Sequence, residues 1–281
     1  MYFSKVTPNP ALNATSIAPV IAVHAYSVHK LLWDLFQGEQ KRDFLFREEL
    51  ADEQMAEKTP VKGLPVFYVV SRRPPASNVL FQTETKAYAP HLASGDILNF
   101  RIRANPTVTR AGKRHDLIMD SQYQLLRRLC DGLNLTEETV LRTRADYKRA
   151  VLSANPDQLR CCLSEQINDT AQEGLQHDRT AGIREVLDTA LSINADIAVQ
   201  RWFEKAGQRL GFELINVQDS FSVSRYEKHV LPEKGASAEY RSVDVAGELQ
   251  VSDPTLFVSQ CLYAGMGRAK AFGCGLMLVK R

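Results

Sequence analysis

The order of strand-like and helical patterns along the chain constrains its fold more than any other feature. Strand-like stretches dominate residues 1–120, helical patterns run from about 121 to 210, and strands return from 211 to the end. Strands and helices that are segregated in this way predict an α+β fold. The 281 residues suffice for two domains of roughly 100–150 residues each.

The first part of the chain reads as a β-α-β-β arrangement. A short strand at 2–6 is followed by a helix at about 25–37, because Val28, Leu32 and Leu35 recur at helical spacing. Strands are predicted at 43–48, 66–71, 79–85 and 97–104. In the last of these, alternation places apolar side chains on one face and Asn99, Arg101 and Arg103 on the other.

Helices account for the middle of the chain. Asn155 before Pro156 predicts one helix start, and separate helices are predicted at 181–192 and 197–209, the latter ending at Gly211. Strands then follow, with a short helix from Asp253-Pro254 and a glycine-rich loop before the final strand.

Composition excludes several classes of protein. No apolar run approaches the ~20 residues that cross a membrane, and the first residues do not form a signal peptide. The five cysteines include no C-x-x-C pair, so we expect neither a disulfide scaffold nor a zinc site. We expect a cytoplasmic protein that needs no metal and no cofactor.

Basic residues are concentrated in two strips without acids, although the net charge is only +2. One contains Arg101, Arg103, Arg110, Lys113 and Arg114, and the other contains Arg268, Lys270, Lys280 and Arg281. Either strip could be a protected strand edge or a track for nucleic-acid phosphates. The polar face at 97–104 carries no aromatic residue, so base stacking is not supported there.

A glycine-rich stretch, GMGRAKAFGCG at 265–275, precedes the last strand. It matches neither a Walker P-loop nor a dinucleotide-binding fingerprint. It is either a tight connection or a loop whose N–H groups approach a phosphate. Gly267, Arg268 and Lys270 favour a contact with an RNA backbone.

Five segments, taken in order, resemble the CasE family, the endoribonuclease of type I-E CRISPR systems that processes precursor RNA. These are MYFSKV at 1–6, YSVHKLLWDLF at 26–36, RDFLFR at 42–47, FRIRANP at 100–106 and GMGRAKAFGCGLMLV at 265–279. The resemblance covers about 1–120 and 197–281, and residues near 125–195 read as an insertion. It implies two tandem ferredoxin-like (RRM-like) domains, at 1–120 and 197–281, with a mostly helical insertion at 121–196.

The resemblance also implies an activity. The family cuts CRISPR precursor RNA at the 3′ base of the repeat stem-loop without a metal and leaves a 2′,3′-cyclic phosphate. Its members retain the mature crRNA as subunits of the Cascade complex, so other Cascade subunits are expected partners.

The family's catalytic histidine and tyrosine lie on the first helix, at positions that match His29 and Tyr26. Histidine titrates near neutrality and suits proton transfer, whereas tyrosine suits positioning of the 2′-OH or the phosphate. Whether His29 acts as base or acid stays open. Lys30 or Lys270 would stabilise charge on the phosphate. His24 does not fit the Tyr-x-x-His pattern.

The segment SRYEKH at 224–229 resembles the basic hairpin that the family lays along the RNA helix, with Arg225 and Lys228 as contacts. A non-catalytic subunit that binds hairpin RNA is the alternative function. For the insertion, a role in protein interaction is also considered.

Overall fold

The computed structural model describes residues 1–9, 25–36, 42–49, 65–76, 78–135, 141–166, 182–231 and 238–281. The fold is α+β, with antiparallel sheets. It divides into two compact units, one formed by Met1–Pro106 with Glu204–Arg281 and the other by Thr107–Phe203.

The first sheet lies in the first unit and has the strand order β2-β3-β1-β4, with all neighbours antiparallel. Its strands are β1 (Tyr2–Pro8), β2 (Phe44–Glu49), β3 (Val66–Ser71) and β4 (Phe81–Ala87). Helix α1 (Ala25–Trp33) continues as a 3-10 turn, Asp34–Phe36. Its apolar stripe packs with Val6, Phe67 and Val69 of the sheet, as its helical spacing predicts.

The next strand, β5 (Ile97–Ala104), does not join this sheet and pairs with strands near the C-terminus. The predicted N-terminal domain of residues 1–120 therefore includes a strand of the second sheet. Alternation correctly predicts the buried face, since Leu98, Phe100 and Ile102 are buried. It carries no information about the partner strand, which is set by contacts distant in sequence.

The second unit begins with a hairpin and is otherwise helical. It contains β6 (Thr107–Arg110), β7 (Lys113–Asp116), α2 (Leu117–Gly132), α3 (Arg144–Ser153), α4 (Pro156–Gln166) and most of α5 (Ile183–Leu210). The Asn155 side chain accepts a hydrogen bond from Asp157 N at 2.9 Å, as its position before Pro156 predicts. The prediction of two helices within 181–209 is wrong, because α5 runs through both segments and the residues between them, 193–196, include no glycine or proline.

The second sheet completes the first unit and has the strand order β11-β5-β10-β8. The long strand β10 pairs with β9 along its first part and with β8 along its last four residues. Its later strands are β8 (Phe212–Ile215), β9 (Ser222–Val230), β10 (Glu239–Val251) and β11 (Met277–Lys280). Between them lie α6 (Val217–Ser220), α7 (Pro254–Leu256) with a π-helical turn (Phe257–Tyr263), and a 3-10 turn (Lys270–Phe272). Within the described ranges, no helix is long and apolar enough to cross a membrane.

Candidate active site

His29 lies on α1, half-buried among aromatic rings from three separate elements. Its imidazole centroid is 5.4 Å from Trp33 on α1, 6.2 Å from Phe44 on β2 and 6.5 Å from Phe272 in the 3-10 turn. Rings on several sides restrict the orientations that the imidazole can adopt. Tyr26 belongs to the same helix, one turn earlier, and its side chain lies outside the described residues.

Phe272 is also the first of three stacked rings, which we call the ring column. Its members are Phe272, Tyr240 and His229. The Phe272 and Tyr240 centroids are 5.2 Å apart, and those of Tyr240 and His229 are 4.5 Å apart. Tyr240 also donates a hydrogen bond to the Phe272 carbonyl at 3.3 Å. The ring column links the β9–β10 hairpin to the surroundings of His29. No periodicity in the sequence indicated it.

Burial sets the protonation of the ring column. It raises the pKa of Tyr240, so the phenol stays protonated and remains a donor. It lowers the pKa of His229 despite the opposing charge of Glu227, which favours a neutral ring at pH 7. The Nε2 atom of His229 lies 2.8 Å from Ser242 Oγ.

Two predicted cations lie on the elements that surround His29. Lys270 begins the 3-10 turn that carries Phe272, and its Nζ donates to the Ala264 carbonyl at 2.8 Å. Lys30 directly follows His29 on α1, and its side chain is exposed. Lys270 therefore belongs to the same turn as Phe272, whose ring lies close to His29.

Arg101 and Arg103 are engaged with carboxylates of the fold. Arg103 donates to both oxygens of Asp244, at 2.9 and 2.8 Å. Arg101 Nη2 lies 3.6 Å from Glu49 Oε1, which also accepts a hydrogen bond from buried Arg47 at 3.1 Å. Three arginines, Arg47, Arg101 and Arg103, thus share the carboxylates of Glu49 and Asp244. A contact of Arg101 or Arg103 with a phosphate stays a prediction.

The other basic residues of that strip belong to the second unit. Arg110, on β6, pairs with Asp120 at 2.9 Å, and Lys113 and Arg114 are exposed on β7. Ala111 and Gly112 have positive φ, as a tight hairpin turn requires. The continuous strip in the sequence is thus divided between a strand of the first unit and a hairpin of the second.

Arg225 occupies a bulge in β9. Glu227 pairs with Ser242 and Ser224 pairs with Asp244, so two residues of β9 face Val243 alone. Arg225 has a φ of 51°, a costly conformation for a residue with a Cβ, and its side chain is exposed. A bulge changes the direction in which a side chain points and commonly accompanies function.

Lys228, further along β9, is exposed and has its Nζ 2.6 Å from Glu239 Oε2. This partner is itself a surface residue of the neighbouring strand β10. Such an exposed pair contributes little to stability and exchanges readily for a phosphate. Lys228 therefore remains compatible with an RNA contact.

The glycine-rich stretch, Gly265–Gly275, forms a tight connection. Met266 N donates to the Gly275 carbonyl at 2.8 Å, and a Cβ on Gly275 would lie 2.6 Å from Met266 O. Gly275 thus serves packing, which is one of the two roles that the sequence predicts. Gly267 and Arg268 are exposed at the loop surface and could contact a ligand.

Across the ranges that the structure covers, no three His, Cys, Asp or Glu side chains come together in a group that could hold a metal ion. The sequence indicates no role for Arg42, since its only signal is a cation two residues before a strand.

A family model described as "CRISPR associated protein" matches residues 1–281.

Solved structures with the same fold include RNA-bound ones. A structure of Thermus thermophilus Cse3 bound to an RNA representing a pre-cleavage complex shares 19% identity with this chain and has a TM-score of 0.56. The match covers 100% of this chain and 98% of that chain. A CRISPR endoribonuclease Cse3 bound to 19 nt RNA gives 19% identity, the same coverages and a TM-score of 0.54. A CRISPR-associated protein from Thermus thermophilus gives 19% identity, 100% coverage of both chains and a TM-score of 0.51. No curated relative matches the chain. At these identities the structural likeness shows a shared fold.

Proposed function

The chain belongs to the family of CRISPR-associated proteins, and on that premise we propose that it is a metal-independent endoribonuclease that cuts CRISPR precursor RNA at the 3′ base of the repeat stem-loop. The observation that carries this proposal is the placement of His29, held among rings of α1, β2 and the Lys270–Phe272 turn with a lysine on that turn. A solved protein of the same fold is described as an endoribonuclease bound to RNA.

We propose that the two sheets are two ferredoxin-like domains. In the first sheet, β1 lies between β3 and β4, with β2 at the edge. Numbered by their place along the chain, the four strands of this sheet have the order 2-3-1-4. If β5 counts as the first strand of the second sheet, its strands β8-β10-β5-β11 have the same 2-3-1-4 order. The boundary between these domains then falls before β5, and the helical unit interrupts the second domain. The described residues between β3 and β4, 72–76 and 78–80, form no helix, so the first domain is abbreviated.

The chemistry is an in-line attack by a ribose 2′-OH on the adjacent phosphorus. A bond from the 2′ oxygen to phosphorus forms and the bond to the 5′ oxygen breaks, which leaves a 2′,3′-cyclic phosphate and a 5′-OH. One proton leaves the nucleophile and one reaches the leaving oxygen. We assign a proton transfer to His29 and positioning of the 2′-OH or phosphate to Tyr26.

The stem of the repeat would lie against the β9–β10 hairpin. The side chains of Arg225 and Lys228 would contact its backbone, as would Gly267 and Arg268 of the glycine-rich stretch, and all four residues are exposed. A-form RNA is read mainly through its backbone and shape, and basic side chains suit that role. After cleavage the chain would retain the crRNA as a Cascade subunit.

Cleavage of a cognate repeat RNA in EDTA tests the activity. We expect a product that ends in a cyclic phosphate, and a single-turnover rate reduced about 10²–10⁴-fold in His29→Ala with RNA affinity retained. His91→Ala is the matched control, since His91 is exposed in a loop before β5. Full activity of His29→Ala would overturn the site. Tight binding without product in the unmodified protein would identify a non-catalytic subunit instead.

A further inference from the structure

Arg42 is a half-buried cation two residues before β2. Its Nη1 is enclosed, with no hydrogen-bond partner among the described residues. It lines a cavity of about 400 Å³ together with Phe44, Arg72 and Ala264. A guanidinium withdrawn from water without a full set of acceptors is costly, so this arrangement suits a ligand that supplies them.

Lys270, which lies near the C-terminus, contacts the same cavity lining as Arg42. Its Nζ donates to the carbonyl of Ala264, which also lines the cavity. Burial lowers the pKa of Lys270, and the charge of Arg42 lowers it further. Two cations brought together in partial burial repel each other, and a bound anion relieves that repulsion.

The acid in this region does not neutralise the pair. Asp43 also lines the cavity, and one of its oxygens lies 3.5 Å from Arg73 Nε. Arg72 contributes a further cation to the lining. The described surroundings of the cavity therefore have an excess of positive charge.

Each cation lies two residues from an aromatic residue whose ring is close to His29. Phe44, two residues after Arg42, has its ring 6.2 Å from the imidazole. Phe272, two residues after Lys270, has its ring 6.5 Å from it. A phosphate held by both cations would thus lie next to the group assigned to proton transfer.

We infer that Arg42 and Lys270 together bind a phosphate of the RNA strand at the cleavage site, with Arg42 as a catalytic cation in addition to the residues assigned above. This inference rests on the proposed nuclease function. The guanidinium fork can donate to two phosphate oxygens while the ammonium acts as a point charge. The cavity far exceeds the ~30 Å³ of one water molecule, so a phosphodiester group fits. Both cations would stabilise the additional negative charge of the phosphorane.

Cleavage kinetics provide the first test. We expect Arg42→Gln and Lys270→Gln each to lower the single-turnover rate about 10²–10³-fold. The double variant should lose less than the product of the two effects, because both side chains act on one phosphate. Arg42→Lys should retain part of the rate. Arg209→Gln, at an exposed arginine of α5, should cleave at the normal rate.

Inorganic phosphate provides a test that does not depend on cleavage. At constant ionic strength, replacing chloride by phosphate should raise the Tm of the unmodified protein and of Arg209→Gln. The rise should disappear in Arg42→Gln and Lys270→Gln. If Arg42→Gln does not fold, Lys270→Gln and Arg42→Lys carry both tests.

The outcomes separate this inference from the proposed function. An unmodified protein that cuts no RNA, with a phosphate effect that depends on Arg42, would refute the nuclease and retain the anion site. Folded Arg42→Gln that cleaves at the normal rate, or keeps the phosphate effect, would overturn the inference while the nuclease stands.

Discussion

At the scale of single residues, an internal ion network joins the two sheets. Arg47 on β2 is 1% exposed, and Glu49 on the same strand is fully buried. Arg47 pairs with Asp244 of the second sheet, and Glu49 pairs with Arg101 of that sheet. Burial lowers the pKa of Arg47, while the charges of Asp244 and Glu49 oppose that shift. Such groups are tolerated inside a protein because each one has partners.

Asp244→Asn tests this network. The change removes the carboxylate that accepts two hydrogen bonds from Arg103 and one of the two carboxylates that lie close to Arg47. We expect a loss of about 3–5 kcal/mol in the free energy of unfolding. Urea denaturation measures it. Glu239→Gln is the control, since Glu239 pairs with Lys228 and Arg241 at the surface and should change stability by less than about 1 kcal/mol. Equal losses in the two variants would show that the network is not stabilising.

At the scale of elements, the glycine-rich stretch decides where the active-site turn lies. Gly265 approaches Leu45 of β2, and the Gly275 N–H donates to the Arg103 carbonyl of β5 at 2.7 Å. Both contacts hold the loop against strands of the two sheets. The turn that bears Lys270 and Phe272 lies between these glycines, so its position beside α1 depends on them.

Gly275→Ala and Gly95→Ala separate close packing from backbone strain. Both glycines have φ near 90°, but a Cβ meets Met266 O at 2.6 Å in the first and nothing within 4 Å in the second. We expect Gly95→Ala to cost about 1–2 kcal/mol through conformation alone. Gly275→Ala should cost more and should also slow cleavage. Equal thermal shifts, with full activity of both variants, would contradict a role of this packing.

At the scale of the whole molecule, the two compact units have separate cores. The helical unit buries Leu125, Leu129, Val151 and Leu187 in one cluster, whereas α1 and the first sheet form another. Because cores that share few side chains open independently, the molecule should contain two cooperative regions.

Leu129→Ala tests that independence by hydrogen exchange. Leu129 is fully buried, and its truncation should cost about 2–5 kcal/mol. Amides of α2 to α4 should lose protection while those of β1 and β3 keep theirs, and Val69→Ala should give the reverse pattern. Uniform loss of protection in either variant would show one cooperative core.

Local patterns in the sequence determined the elements. Helical spacing predicted α1 and its buried stripe, Asn155 before Pro156 predicted the start of α4, and alternation predicted the buried face of β5. The placement of Tyr26 and His29 one turn apart follows from the helix alone. These features depend on neighbours within a few residues, so the sequence expresses them directly.

Only the tertiary structure decided which distant residues meet. It paired β5 with β10 and β11, and it placed Arg101 and Arg103 next to the carboxylates of Glu49 and Asp244. It also brought the ring of Phe272 to His29, and it brought Lys270 to the carbonyl of Ala264, which lines the same cavity as Arg42. Such partnerships arise from strand pairing and core packing, in which no periodicity or cap specifies the partner.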